Sequence, residues 1–423
     1  MSFHRFIKRE LKELLSQSLF GRAYRALGIK EQLELCRVVA QEQSDLSIEE
    51  LLEKYLLSAV LEVRSIHGLR DVVLSGKEVR GVYELLSGGP GQDQDLGEVL
   101  QAVSLARFFA ALAQYSQGDA CFRSRHRIYI IFDDTLLRKT GKQMFHIHHL
   151  FDTCQRCYVL GYHSLVMYVV IGPKVSEEFV LEHDVPLYPQ PRPKRYQSPT
   201  DKYGLAIGFL KWLQQRTKER GLDLSDAIVL FDRWYLGSRM TQACAALDMT
   251  WVTQSKSTFV YYVQGQRFTA SELIEWVLRN GKLKVCSLGR SDYTYYTVIA
   301  RSPTFGMVRL VVWYRQHSQA KTEKRKCKLL LCNNITTRFN AIKIIRAYKI
   351  RWRVEVMFRT AKQLCRLGHF HQTNDTAIIN SISVAYLTFN VFSRAWYAYG
   401  RRAGAHTIGQ MAKQLKYALL KAA

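Results

Sequence analysis

The chain has 423 residues, 48% of them hydrophobic and 12% aromatic, which excludes a disordered basic tail protein. It is too long for one ordinary core, so two or three domains are expected. Sixty-one Lys and Arg against 36 Asp and Glu leave a net charge of +25, which suits a polyanionic partner because each neutralised phosphate releases condensed counterions.

The surplus is uneven along the chain. Residues 1–30 carry 7 basic and 2 acidic side chains, residues 31–120 carry 7 and 15, and residues 121–423 carry 47 and 19. The positive surface is therefore expected in the later two-thirds. The start, MSFHRFIKRELKELL, is charged throughout and lacks the apolar stretch of a secretory signal. The run Leu165–Gly172 falls short of the roughly 18 apolar residues a membrane helix needs. Nine scattered cysteines read as reduced thiols. No membrane partner is expected, and the location is expected to be cytoplasmic.

Residues 1–120 read as a helical N-terminal domain. Leu51, Leu52, Tyr55, Leu56 and Val60 recur at helical spacing, as do Val103, Leu105, Phe108, Phe109 and Leu112. Ser87-Gly88-Gly89-Pro90-Gly91 is a breaker cluster between them. Gly68 to Ser87 has the outline of a helix-turn-helix pivoting at Ser75-Gly76-Lys77, but a plain helical bundle accounts for the same pattern.

After Arg127 strands alternate with helices. Ile128–Phe132 and Tyr158–Ile171 are strand-like, Lys202–Arg220 is helical, and Ala227–Phe231 is a short buried strand. Five of the eight prolines lie between Pro186 and Pro199, marking a surface loop. Residues 251–334 hold β-branched and aromatic runs at Phe259–Val263, Tyr293–Ala300, Met307–Tyr314 and Lys328–Leu331. The capping box Thr269-Ala-Ser-Glu272 opens a helix among them. The rest of the chain reads as helical, and no internal repeat is visible.

The segment Asn340–Leu367, closed by Gly368, is the most informative. Ile350, Val354, Met357, Ala361 and Leu364 form one apolar face. Tyr348, Arg351, Glu355 and Lys362 form a stripe about 60° wide opposite it, which Arg359 and Arg366 share. One carboxylate among cations is an ordinary salt-bridged face unless other carboxylates meet it. Two candidates exist. Ile128–Phe132 is expected to end in Asp133-Asp134-Thr135, and Ala227–Phe231 in Asp232-Arg233. Strand C-termini are where an α/β sheet presents chemistry. Three converging carboxylates imply bound cations, and all-oxygen ligation favours Mg²⁺ or Mn²⁺ over zinc.

The spacing Tyr348-(2)-Arg351-(3)-Glu355-(6)-Lys362 resembles the Y-R-E-K signature of DDE transposases of the insertion-sequence-four family. Asp232-Arg233 resembles that family's second catalytic site, and Trp251-Val-Thr-Gln-Ser-Lys256 the strand after it. A fully buried strand shows no alternation that chooses between Asp133 and Asp134. Asp134, followed directly by Thr135, is chosen by resemblance to the family's first site. The resemblance covers roughly residues 125–370.

It implies an α/β chain with an RNase H-like catalytic core at 121–250 and 335–370, interrupted by a β-rich insertion subdomain at 251–334. The helical domain 1–120 is then a candidate for binding DNA ends, and the helical region 371–423 for oligomerisation. Asp134, Asp232 and Glu355 would hold two Mg²⁺, with Mn²⁺ able to substitute. Tyr348, Arg351, Lys362 and Arg359 would contact DNA phosphates. The implied activity is cleavage at the ends of a mobile element, release through a DNA hairpin and strand transfer into target DNA. The implied partners are double-stranded DNA and a second copy of the chain. A nuclease or resolvase that does not join strands, and a regulator that binds DNA without chemistry, are the rival readings.

Three weaker signals remain. Lys321, Lys324, Arg325, Lys326 and Lys328 read as a hairpin tip touching DNA backbone. Trp276 and Trp313 lie in the insertion, where family relatives use an aromatic to hold a flipped base. Cys154-Gln-Arg-Cys157 follows His146, His148 and His149, but a lone C-x-x-C is poor grounds for zinc.

Overall fold

The computed structural model describes residues 17–25, 48–61, 70, 74–87, 96–118, 127–141, 143–145, 147–172, 177–184, 201–316, 327–401 and 404–422. Lys321, Lys324, Arg325, Lys326, His146, the 186–199 loop and most of the Ser87–Gly91 linker lie outside the described residues. Among the described residues the fold is mixed α/β, with ten α-helices and twelve strands. The chain forms two compact units, one of residues 1–118, 134–201 and 356–423, the other of residues 119–133 and 202–355.

In the first unit, helices α1 (Leu19–Arg25), α2 (Ile48–Leu57), α3 (Gly76–Ser87) and α4 (Leu96–Gln117) pack on α9 (Asp375–Ala395). Helix α3 opens with a reciprocal cap, in which Glu78 N–H donates to Ser75 Oγ at 3.2 Å and the Glu78 carboxylate accepts from Ser75 N–H. Asp375–Gly400 is long and apolar enough to cross a membrane, but 89% of its most apolar window is buried, as in a core helix. Two buried asparagines on it are fully partnered. Asn380 accepts from Gly97 N–H at 3.1 Å and donates to Leu86 C=O at 2.9 Å, while Asn390 is bonded to both backbone groups of Val180. α10 (Ile408–Ala422) follows.

Strands β2 (His148–Asp152), β3 (Cys157–Ile171) and β4 (Glu177–Asp184) form an antiparallel set in this unit. β3 lies beside the latter part of β1 (Ile128–Arg138). The approach is close at Gly161, where a Cβ would stand 2.4 Å from the Leu137 carbonyl oxygen, so only glycine fits.

In the second unit the first half of β1, β5 (Ile228–Phe231) and β6 (Thr250–Gln254) are parallel, with Ile131 opposite Leu230 and Val229 opposite Trp251. The first half of β1 and β5 are continuous apolar runs, as expected where both faces are covered. β12 (Lys328–Cys332) pairs antiparallel with β6. Beyond it lie β11 (Gly306–Arg315), β10 (Ser291–Ser302), β7 (Val260–Val263) and β8 (Gln266–Thr269), with β9 (Lys284–Leu288) on β10. α5 (Lys202–Lys218), α6 (Ser238–Ala246) and α7 (Ala270–Asn280) complete the unit. The Thr269–Glu272 capping box is formed in both directions.

Helix α8 (Ala341–Leu364) begins in the second unit and ends in the first. Asn340 Oδ1 accepts from Lys343 N–H at 3.1 Å and caps its start. Gly368, at φ +88, turns the chain just beyond its end.

Candidate active site

The first pair of acids does not end its strand: β1 continues through Asp133 and Asp134 to Arg138. Adjacent residues of a strand point to opposite faces, so the two carboxylates meet different surroundings. Asp133 accepts from Arg351 Nη1 at 3.0 Å, and Arg351 Nη2 donates to Glu355 Oε1 at 2.8 Å. One guanidinium thus bridges two carboxylates from a strand and a helix. The Asp134 carboxylate stands 3.6 Å from His163 Nδ1 on β3.

Asp232 follows the end of β5 in extended backbone (φ −73, ψ 161) before the short turn Arg233–Tyr235. Thr253 Oγ1 donates to the Phe231 carbonyl at 2.8 Å, tying that strand end to β6. Asp232 acts on Arg351 together with Asp133 and Glu355, and on Lys328 together with Glu355. Burial works against the Arg351 charge, but Tyr348, Asp133, Asp232 and Glu355 outweigh it and hold the guanidinium above its usual range. Burial and the Arg351 charge lower the Lys328 ammonium, against Glu355 and Asp232, which raise it.

Tyr348 and Arg351 are both buried, although they share the stripe opposite the apolar face of α8. The Tyr348 hydroxyl donates to Gln254 Oε1 at 2.9 Å, and Arg351 and Lys328 lie over its ring at 5.6 and 5.7 Å. Trp313 packs edge-on against that ring, with centroids 6.5 Å apart, and is itself buried. Trp276 packs between Phe268 and Tyr296. Lys328, expected at a hairpin tip, opens β12 and reaches the Tyr348 ring.

In the first unit, Lys362 Nζ donates to Thr135 Oγ1 at 2.7 Å and to the Leu136 carbonyl at 2.9 Å. Arg359 is exposed. Arg366 is buried, and donates to the Tyr55 carbonyl and Ser58 Oγ, each at 2.9 Å. The structure therefore groups Asp133, Asp232, Glu355, Tyr348 and Arg351 in one unit, and places Asp134, Thr135 and Lys362 in the other.

Two features escaped the sequence reading. Asp133 and Thr135 are two apart in β1 and share a face, so Asp133 meets Arg351 from the face opposite Asp134, a placement that the run of adjacent acids did not signal. Trp234, two residues after Asp232, is 67% exposed, and no periodicity marks a residue in so short a turn.

Residues 200–388 match the family model described as a transposase DDE domain. The match supports a DDE transposase. It includes Asp232, Tyr348, Arg351, Glu355 and Lys362, and begins after β1. No curated protein matches the chain.

Proposed function

We propose that this chain is a DNA transposase of the insertion-sequence-four type, with an RNase H-like core and with Asp133, Asp232 and Glu355 as its acidic triad. The observation that carries the reading is the Arg351 guanidinium bonded to Asp133 and Glu355 together, in the field of Asp232. Three carboxylates from two strands and a helix need cationic charge among them. Asp134 was expected to be the first acid, but its carboxylate meets His163.

Among the described residues no group of three His, Cys, Asp or Glu stands close enough together to hold a metal. The donor chemistry still fits Mg²⁺ or Mn²⁺, because the three candidates are all carboxylates and a cation already links two of them. Asp133, Asp232 and Glu355 would hold the ions, which when bound supply Lewis-acid stabilisation to phosphoryl transfer. Arg351 fixes Asp133 and Glu355 in mutual register. Tyr348, anchored on Gln254, and Lys328 form the cationic and aromatic floor beside them. Exposed Arg233 and Arg359 suit DNA phosphates. End binding, hairpin excision, strand transfer into double-stranded target DNA and action as a homodimer complete the proposal, and the positive surplus of residues 121–423 supports a DNA partner.

The test uses purified protein, labelled DNA ends and Mg²⁺ or Mn²⁺. Wild type should give nicked, hairpin and joined products, while Glu355→Gln gives none and binds DNA as wild type does. Metal-dependent cutting retained by Glu355→Gln would overturn the assignment, and cutting without joining by wild type would make the protein a nuclease.

A further inference from the structure

The turn between β2 and β3 carries two large aromatic side chains on its outer face. Phe151 and Tyr158 are cross-strand partners, 49% and 63% exposed, with ring centroids 5.4 Å apart at 66°. Single exposed aromatics are ordinary, but two rings in edge-to-face contact at one hairpin tip make a contiguous apolar surface.

The tip is held rigidly. On its inner side His148, Leu150 and Asp152 are buried. Asp152 Oδ1 accepts from the backbone N–H groups of Cys154 and Gln155 at 2.9 and 3.1 Å, and the same carboxylate is paired with Arg138. The tip's carboxylate is thus turned inward and neutralised. Outward, exposed Arg156 lies in the same turn, two residues before Tyr158. Lys362 of α8 belongs to the same neighbourhood: burial and the Arg138 charge lower its ammonium, while Asp152 and Cys154 raise it.

We infer that the β2–β3 hairpin is a nucleic-acid contact in which Phe151 and Tyr158 stack on an unpaired DNA base while Arg156 holds the adjoining phosphate. The inference rests on the reading of the chain as a DNA enzyme. Its physical basis is the pairing of an aromatic surface with the exposed Arg156, the turn's own carboxylate, Asp152, being turned inward. A purely apolar protein partner would have to desolvate Arg156 without compensation, whereas a nucleotide offers a π-face and a phosphate side by side. The rings already touch and their turn is fully capped, so little ordering is needed when a base docks.

The test measures fluorescence anisotropy of the full chain, without metal, on a duplex bearing a single-stranded overhang and on the same duplex blunt-ended. Phe151→Ala/Tyr158→Ala should keep the wild-type melting temperature, since both rings are exposed. It should bind the overhang probe roughly five- to 150-fold more weakly, the range stacking implies, and the blunt duplex nearly as wild type does. Tyr158→Phe should retain affinity, because the ring and not the hydroxyl is used. Unchanged overhang affinity in the double variant overturns the inference, as does an equal loss in Tyr158→Phe. A change of oligomeric state in the double variant with DNA affinity intact would assign the rings to a second copy of the chain instead. Wild type that binds neither probe would sink the DNA-enzyme reading and this inference with it. Wild type that cuts DNA beside a double variant with normal affinity would sink only the inference.

Discussion

Asp133 and Asp134 are neighbours in one strand, yet the chain passes from one compact unit to the other between them. Asp133 is bonded to the buried Arg351, which also holds Glu355. Asp134 has an imidazole 3.6 Å away. The difference teaches that a carboxylate's use depends on the cations its face of the strand meets. A guanidinium with five fixed donors can clamp two carboxylates at once, which one imidazole cannot.

The largest effect should come from breaking this asymmetry directly. Asp133→Asn should lower metal-dependent strand cleavage by on the order of a hundredfold to a thousandfold, whereas Asp134→Asn should change it only a few-fold. Single-turnover cleavage of labelled DNA measures both, and the reverse order would move the site to the Asp134 face.

Arg351→Met should cost about 2–4 kcal/mol of stability in denaturant unfolding, because it leaves Asp133 and Glu355 without their shared cation. Glu355 is a third exposed, which keeps the cost below that of a fully buried pair. Mn²⁺ should raise the melting temperature of this variant more than that of wild type. An equal rise in both would show that the metal and Arg351 do not answer the same charge.

A smaller effect marks the Asp134 side of the boundary. Lys139 Nζ donates to the Gly368 and Phe370 carbonyls at 2.7 and 2.6 Å and lies 3.3 Å from the Phe370 ring centroid. Burial pushes its ammonium down to about 7 from 10.5. Between about pH 7 and pH 10.5 the unfolded chain binds more protons at this site than the folded chain, so stability rises with pH there and is flat below. The melting temperature of wild type relative to Lys139→Met should therefore increase across that window. A decrease would show that the carbonyl bonds and the ring, which favour the ammonium, outweigh burial.

Much of the local structure was legible before the fold. Phe259–Val263, Tyr293–Ala300 and Met307–Tyr314 read as strands and match β7, β10 and β11 to within a few residues. The Thr269–Glu272 box and the start and end of α8 were visible in capping residues. These features depend on residues a few positions apart. The course of β1 beyond Phe132 was not legible, because two adjacent acids read as a turn and only the neighbouring strands keep them extended. The environment of Tyr348 and Arg351 was not legible either. A helical wheel places side chains at angles but does not say what covers them. Here Gln254, Trp313 and Asp133 cover the charged stripe.

By itself, then, the sequence determined the chemical inventory: an acid after β5, a lone glutamate among cations on one helix stripe, and a strong positive surplus in the last two-thirds of the chain. Those follow from residue type and spacing, which local geometry converts directly into faces and ends. Only the tertiary structure decided which of two adjacent acids joins that glutamate. It also decided that Arg351 is buried between them and that Phe151 and Tyr158 meet at an exposed hairpin tip. Each of those facts is a contact between residues far apart in the chain or across two strands, and no local period encodes it.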